Sequence, residues 1–261
     1  MIVVKFGGHA MKDENGNFAH AIAAALATGE KVVVVHGGGP QIDLALQARK
    51  IVSSSIGGFR VTTQEIFDVV EDVLVNQVGQ LIAVNLNKSG IQAKAISART
   101  LPTIIARRRT TLVDGSKADL GLVGDVLSVN PQQVVELLEQ GCVPVIAPIA
   151  SDEDLSTGLN VNADLAAASI AAELKASSLI IMTDVAGIYR NWPDKASLIN
   201  TIGAAELASI KGEFAQGMAP KVQAALDALA SGARAVRIID GTNPDSFALA
   251  LAGSGGTLVV A

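Results

Sequence analysis

Two lysines stand where an ammonium group is costly, and both lie beside glycine-rich turns. Lys5 interrupts the apolar run "IVVKF" just before Gly7 and Gly8, and Lys221 follows Pro220 at the start of a helical pattern. A buried ammonium needs an anionic partner, and a cation in a first helical turn opposes the helix dipole. Alternatively, Lys5 reaches water from a strand end and Lys221 is an exposed residue without a role. Together the two lysines favour a phosphate-binding site.

A second glycine-rich turn follows the apolar run in "VVVVHGGGPQID", residues 32–43. Gly37, Gly38 and Gly39 precede Pro40, which is pre-organised for the first position of a helix. Bare N–H groups at a helix N-terminus bind anions. A tight turn alone would need one such glycine, so three favour an anion site. His36 is predicted to complete a hydrogen bond within the turn. Because G-x-x-x-x-G-K-[ST] is absent and no G-x-G-x-x-G follows a strand, a P-loop and a dinucleotide Rossmann site are disfavoured.

Asn160, Asn162 and Asp164 open the alanine-rich segment "NVNADLAAASIAAEL". Asn and Asp are favoured helix N-caps, and capping is the alternative explanation for them. One residue suffices for a cap, so three polar groups indicate ligand contacts as well.

Asp184 ends the apolar run "LIIMTD", and Tyr189 and Trp192 follow it in one loop. A nucleotide base could lie against these rings, or the rings could simply pack the loop together. The histidines lack the spacing of metal ligands, so no metal site is predicted. The segment "ARRRTT", residues 106–111, is expected to be a solvated hairpin face.

The elements that must position these residues alternate between strands and helices. Strands are predicted at 2–6, 31–36, 92–97, 143–148, 178–184, 235–240 and 257–260. Helices are predicted at 17–28, 40–49, 63–88, 131–140, 161–175, 203–210, 219–231 and 244–252. Segment 98–126 is less periodic and is predicted to form β-hairpins. Apolar strands alternating with helices predict an α/β fold with a mainly parallel sheet covered on both faces, and ligands then bind beyond the carboxyl ends of the strands.

Composition narrows the class of protein. The 261 residues are 49% hydrophobic and 3% aromatic, with a net charge of −5. An acidic chain disfavours nucleic acid as a partner. The single cysteine, Cys142, cannot form an intrachain disulfide, which fits a reducing cytoplasm. Neither a signal peptide nor an apolar run of roughly 18 residues is present, so no membrane association is expected.

The chain resembles the amino acid kinase family, and within it the actinobacterial members that phosphorylate N-acetyl-L-glutamate. The matching stretches cover nearly the whole length in the family's order. They are "VVKFGGHAM", "VVVVHGGGPQID", "GGFRVTTQE", "VVEDVLVNQVGQLI", "RRRTTLVDG", "DLGLVGDV", "NVNADLAA", "TDVAGIYRNWPD", "GMAPKVQAALDAL" and "IIDG".

The resemblance implies a three-layer αβα sandwich and transfer of phosphoryl from ATP, with Mg²⁺, to the γ-carboxylate of N-acetyl-L-glutamate. It implies an acceptor-binding and dimerisation lobe over 1–175, an ATP-binding lobe over 176–261, and a homodimer across the 63–88 helix. The implied catalytic residues are Lys5, Lys221 and Asp164. The implied substrate-binding residues are Gly38, Gly39, Arg60 and Asn160. The implied nucleotide-binding residues are Gly7, Gly8, Asp184, Gly187, Tyr189, Gly217 and Met218.

Two departures from the family pattern bear on the acceptor and on regulation. Segment 92–104 lacks the family's Gly-x-x-Gly-x-Asp-Gly-like turn. The sequence starts at the first strand, and Asp245 and Ala250 stand where arginine-inhibited members carry His and Glu. No arginine effector site is therefore expected. A kinase acting on a carrier-bound glutamate or aminoadipate, and a non-catalytic regulator with this fold, are the alternatives.

Overall fold

A computed structural model describes residues 1–7, 16–112, 114–214, 218–243 and 245–261 of the chain. Its strands are β1 (Ile2–Phe6), β2 (Val32–His36), β3 (Ser55–Ile56), β4 (Phe59–Arg60), β5 (Ala93–Ser97), β6 (Ile104–Arg108), β7 (Val123–Val129), β8 (Val143–Ala147), β9 (Ile149–Ser151), β10 (Gly158–Val161), β11 (Ser178–Thr183), β12 (Thr201–Gly203), β13 (Ala235–Asp240) and β14 (Thr257–Val260).

Helices lie between most of these strands. The α-helices are α1 (Asn17–Ala27), α2 (Gly39–Ala48), α3 (Gln64–Glu71), α4 (Gly79–Lys88), α5 (Gln132–Glu139), α6 (Ala163–Glu173), α7 (Ala204–Ile210), α8 (Ala219–Ala230) and α9 (Ser246–Leu251). No helix in these described ranges is both long and apolar enough to cross a membrane.

An eight-stranded sheet forms the middle layer, in the order β12-β14-β13-β11-β1-β2-β8-β5. Neighbouring strands run parallel except β13 and β14, which are antiparallel. Every residue of β1, β2 and β8 is buried, as expected for parallel strands covered on both faces. The predicted α/β fold with a mainly parallel sheet is confirmed.

Two adjacent residues of β1 identify the outer layers. Side chains of successive strand residues point to opposite faces of a sheet. Lys5 reaches Asp164 of α6, whereas the Phe6 ring stacks on Phe18 of α1 with centroids 3.9 Å apart. Helices α6 and α1 therefore lie on opposite faces, and the chain is a three-layer αβα sandwich.

A smaller closed sheet, in the order β10-β7-β6-β9, packs beside the main one, and β3 and β4 form a separate hairpin. The hairpin pairing expected in 98–126 is confirmed, because β6 and β7 are antiparallel. The predicted start of a helix at residue 161 was wrong: 158–161 is strand β10, and the helix begins at Ala163. The strands β3, β4, β9, β10 and β12 were not predicted, because runs of two to four residues are too short to show a period of two.

The predicted helix over 63–88 is one continuous element with an irregular middle. Thr63 caps α3 by accepting the Ile66 N–H at 3.3 Å. Residues Asp72–Val78 then form a π-helical segment, which leads directly into α4 at Gly79. Such π segments are rare and often lie at functional sites, and this one packs against the glycine turn described below.

Candidate active site

A buried carboxylate holds the two lysines that the sequence singled out. Asp164 lies in the first turn of α6 and is 3% exposed. Lys5 Nζ lies 3.1 Å from its Oδ1, and Lys221 Nζ donates to its Oδ2 at 3.2 Å. Lys5 also donates to the Met182 carbonyl oxygen at 3.3 Å. The Lys5 ammonium therefore has an anionic partner within the chain and does not reach water from a strand end. Its predicted contact with phosphate stays a prediction.

The charges in this triad keep the carboxylate ionised. Burial alone would raise the pKa of Asp164, but the charges of Lys5 and Lys221 outweigh burial and hold that pKa below its usual value. Two ammonium groups meet one carboxylate, so the triad carries one net positive charge. A positive site at the carboxyl end of a parallel strand is suited to an incoming anion.

Gly7 lets the chain pass close to the Lys5 ammonium. A Cβ added at Gly7 would lie 3.2 Å from Lys5 Nζ and 3.4 Å from the Gly37 backbone nitrogen. A side chain at this position would crowd the ammonium and would contact the second glycine turn. Gly7 therefore lets Lys5 and the turn after β2 lie close together.

A cavity opens directly beside that turn, at the ends of β2 and β10. Its volume is about 180 Å³. Its lining includes Gly37, Gly38, Gly39, Arg60, Asn160 and Asn162. The four predicted substrate-binding residues thus line one cavity, although they come from three different segments of the chain. Among the described residues, none of the divergent 92–104 segment lines it.

Arg60 is held at the cavity by two polar partners. Its Nη2 donates to Asp43 Oδ1 at 2.7 Å, and its Nη1 donates to Ser53 Oγ at 2.7 Å. The Arg60 side chain is only 15% exposed, whereas that of Asp43 is 64% exposed. Asn160 donates from Nδ2 to Thr62 Oγ1 at 3.2 Å, which leaves its side-chain oxygen without a partner in the described chain.

Asn162 has a structural task at the cavity rim. Its Oδ1 accepts the backbone N–H groups of Asp164 at 2.9 Å and Leu165 at 3.2 Å. It is therefore the N-cap of α6, as the capping alternative required. This cap fixes the first turn of α6 and so the position of the Asp164 carboxylate.

The loop after β11 lies on the other half of the sheet. Asp184 is exposed at the end of this strand and accepts from Thr183 Oγ1 at 3.0 Å. The Tyr189 and Trp192 rings meet edge to face with centroids 5.2 Å apart, and Trp192 is 61% exposed. Ring packing within the loop is thus present, and the exposed indole also leaves a surface open to a base.

Gly187 has a packing role in the same loop. A Cβ at this position would lie 2.4 Å from Thr257 Oγ1 and 3.0 Å from the Thr257 backbone nitrogen. The next residue, Ile188, donates its N–H to that hydroxyl at 2.8 Å. Met218 precedes α8 and so stands one turn from Lys221. Gly8 and Gly217, two of the predicted nucleotide-binding residues, lie outside the described residues.

Sequence reasoning missed the partners that orient the predicted residues. Asp43 and Ser53 hold Arg60, and the sequence singled out neither of them. Segment 106–111 was expected to be a solvated hairpin face, which is wrong for Arg109, whose side chain is 11% exposed. Its guanidinium lies 4.2 Å from the centroid of the Phe59 ring and pairs with Asp125, so it supports the hairpin that carries Arg60.

The part of the chain that the structure describes holds no group of three or more His, Cys, Asp or Glu residues placed to bind a metal ion. A Mg²⁺ ion that enters with a nucleotide is held mainly by phosphate oxygens and water, with one or two carboxylates at most. An ion bound in this way needs no group of three or more protein ligands.

Comparison with known proteins identifies the family. Residues 1–240 match the family model described as "Amino acid kinase family". The chain belongs to the amino acid kinase family. A relative from Kineococcus radiotolerans is named acetylglutamate kinase and is 43% identical over 270 aligned residues, covering 100% of this chain and 90% of the relative. Another from Nocardia farcinica has the same name and is 44% identical, covering 99% of this chain and 86% of its own length.

A solved structure has the same architecture as this member of the amino acid kinase family. The crystal structure of smu.665 from Streptococcus mutans superimposes with a TM-score of 0.84 at 27% identity. The superposition covers 99% of this chain and 98% of that one. The family's sandwich is therefore shared over the full described length.

Proposed function

We propose that the chain is an acetylglutamate kinase, which transfers the γ-phosphoryl group of ATP to the γ-carboxylate of N-acetyl-L-glutamate in arginine biosynthesis. The single observation that carries the proposal is the Lys5–Asp164–Lys221 triad beside a glycine-lined cavity that contains an arginine. The names of the relatives at 43% and 44% identity support the choice of acceptor.

The reaction joins two anions, and its main difficulty is their repulsion. An oxygen of the acceptor carboxylate forms a bond to the γ-phosphorus while the bond to the β–γ bridging oxygen breaks. The products are an acyl phosphate and ADP. A carboxyl group with a pKa of about 4.3 is already ionised at neutral pH, so no general base is needed. Charge neutralisation and positioning carry most of phosphoryl-transfer catalysis.

Each residue of the triad has a distinct task in this proposal. Lys5 and Lys221 neutralise the charge that spreads over the phosphoryl oxygens during transfer. Asp164 is not a base, because both its oxygens face ammonium groups, and it orients the two lysines. The N–H groups of Gly7 and Gly8, and those of Gly38 and Gly39, contact the nucleotide and the acceptor respectively. Mg²⁺, when bound with ATP, offsets further phosphate charge.

The acceptor occupies the cavity beside the turn after β2. Arg60 forms a bidentate contact with the α-carboxylate, which then takes the place of the exposed Asp43 as its anionic partner. The free side-chain oxygen of Asn160 accepts a hydrogen bond from the acetamido N–H of the substrate. A Cβ on Gly39 would meet no described atom within 4 Å, which leaves room for the acyl group.

The nucleotide occupies the other half of the sheet, near Asp184, Gly187, Tyr189 and Met218. Gly217, which lies outside the described residues, keeps its predicted role in nucleotide binding. We therefore divide the chain into an acceptor-binding lobe over 1–175 and an ATP-binding lobe over 176–261. We place the enzyme in the cytoplasm as a homodimer formed across α3 and α4. Leu81 and Val84 support this dimer, since they are 60% and 45% exposed on the outer face of α4.

An assay of ADP release tests the proposal. The enzyme is expected to release ADP with N-acetyl-L-glutamate and to act much more slowly on glutamate or aspartate. Trapping the product with hydroxylamine, which reacts with acyl phosphates, separates transfer from ATP hydrolysis. Activity confined to a carrier-bound glutamate, or no activity with any acceptor, would contradict it.

A further inference from the structure

His36 is a fully buried residue at the end of β2 and has no task in the proposed reaction. It is 0% exposed. Its Nδ1 lies 2.9 Å from the carbonyl oxygen of Gly37, the first glycine of the turn. Its Nε2 has no hydrogen-bond partner among the described residues.

The contact with Gly37 fixes the tautomer of the ring. A carbonyl oxygen only accepts, so Nδ1 carries the proton and Nε2 does not. Burial lowers the pKa of His36 to about 4, so the ring is neutral at neutral pH. The imidazole is thus a permanent single donor aimed at one backbone oxygen.

The long helix is shaped to accommodate this ring. A Cβ added at Gly79 would lie 2.9 Å from His36 Nε2 and 3.1 Å from the Leu74 carbonyl oxygen. Gly79 stands where the π segment Asp72–Val78 passes into α4, and its N–H donates to Leu74 with the five-residue spacing of a π turn. The irregular turn and the glycine together make the space that the imidazole fills.

The same π segment packs against the glycine turn itself. A Cβ at Gly38 would lie 2.5 Å from Leu74 Cδ2 and 3.5 Å from Val78 Cγ2. The turn is thus supported from the helix by Leu74 and Val78 and from the strand by His36. No backbone hydrogen bond from the Gly38 N–H occurs among the described residues, although Gly38 lines the cavity.

We propose that His36 is a positioning residue for phosphoryl transfer, which aims the Gly38 N–H into the acceptor cavity by holding the Gly37 carbonyl. In a planar trans peptide the carbonyl and the following N–H point in opposite directions. Fixing the Gly37 oxygen on the imidazole side therefore directs the Gly38 N–H to the opposite side, where the anion arrives. The π segment and Gly79 keep the ring in place. The inference rests on the proposed function, since it concerns the donor set of that site.

Two substitutions at His36 separate its hydrogen bond from its bulk. His36→Asn keeps a donor where Nδ1 stands and removes only the part of the ring that has no partner. His36→Leu fills the space better but removes the donor. A purely structural role predicts that His36→Leu is at least as active as His36→Asn, because the leucine leaves the smaller cavity.

The positioning role predicts the opposite order. His36→Leu should lower kcat/KM for N-acetyl-L-glutamate by on the order of tenfold or more, as for a misdirected oxyanion donor. The KM for ATP should change less than about twofold on the same reasoning. His36→Asn should recover most of the activity while being the less stable of the two in urea denaturation. The exposed His20 provides the control, and His20→Leu should leave both constants unchanged.

A double-mutant cycle tests the contact with the long helix. Gly79→Ala crowds Nε2 and should lower activity, whereas Gly79→Ala combined with His36→Asn removes the crowded atom and should approach His36→Asn alone. Wild-type levels of activity in His36→Leu, or equal losses in His36→Leu and His36→Asn, would overturn the inference. Inactivity of the wild-type enzyme on N-acetyl-L-glutamate would instead reject the proposed function.

Discussion

Substitution of Asp164 by asparagine tests the charge arrangement at the centre of the site. The change keeps the size of the side chain and one acceptor oxygen, but it removes the charge that faces Lys5 at 3.1 Å and Lys221 at 3.2 Å. Both ammonium groups then lie in a largely buried site without an anion. The two ammonium groups repel one another, and neither retains the ion pair that holds it in its present position.

The expected loss of stability follows from the two distances. Two unit charges about 3 Å apart attract by about 5 kcal/mol at an effective dielectric constant of about 20. Desolvation of the ions offsets part of that attraction, and breaking a buried pair by removing one partner costs about 3–5 kcal/mol. Asp164→Asn should therefore lower the free energy of unfolding by about 3–5 kcal/mol at neutral pH.

The pH dependence of that loss has a definite sign. The folded-state pKa of Asp164 is lowered, so its contribution is fully present above its unfolded pKa of about 3.9. The contribution disappears as pH falls through the lower folded pKa. The stability difference between wild type and Asp164→Asn should therefore be constant near neutrality and shrink in acid.

The kinetic effect should fall on turnover rather than on nucleotide binding. Without the Asp164 charge, Lys5 and Lys221 still attract phosphate, so the KM for ATP should not rise. The kcat should fall on the order of 10²-fold, because the two ammonium groups no longer lie in their proper positions. The control is Glu206→Gln, which breaks a half-exposed pair with Arg190 and should cost at most about 1 kcal/mol. A kcat within about threefold of wild type, in folded Asp164→Asn protein, would refute an orienting role for Asp164.

Three further predictions concern the lysines, the acceptor contact and regulation. Lys5→Ala and Lys221→Ala should each lower kcat on the order of 10²-fold with the fold intact by circular dichroism; full activity in either would reject its role. Arg60→Lys should raise the KM for N-acetyl-L-glutamate and leave that for ATP nearly unchanged, since lysine lacks the bidentate fork; equal losses would place Arg60 elsewhere. Millimolar arginine should not inhibit, because Asp245 is exposed and Ala250 offers only a small buried side chain; sigmoidal inhibition with a hexamer in light scattering would contradict this.

Local signals were enough to predict most of the layers. Runs such as "VVVVH" are apolar on both faces. Because only a strand covered on both sides buries all of these side chains, such runs predict a parallel sheet. The lone Lys5 in such a run required an anion nearby. The structure provides Asp164, which belongs to a helix far along the chain.

The sequence did not reveal how the long helix is built. Its residues 63–88 have a helical pattern throughout, and the π segment within it leaves no mark in that pattern. The segment lies where the helix packs against His36 and Gly38, which belong to a neighbouring strand and the turn after it. A propensity read along one element cannot detect a packing constraint imposed by another.

By itself, the sequence determined the fold class, the glycine turn after β2, and most of the charged and polar groups that the proposed function assigns to the site. These follow from residue types and from periods of two and 3.6, which are local properties of the chain. Only the tertiary structure decided which groups meet: Asp43 with Arg60, Asn162 with the first turn of α6, and His36 with the Gly37 carbonyl. The physical reason is that a hydrogen bond or ion pair depends on separations of about 3 Å between elements, and no local pattern encodes those separations.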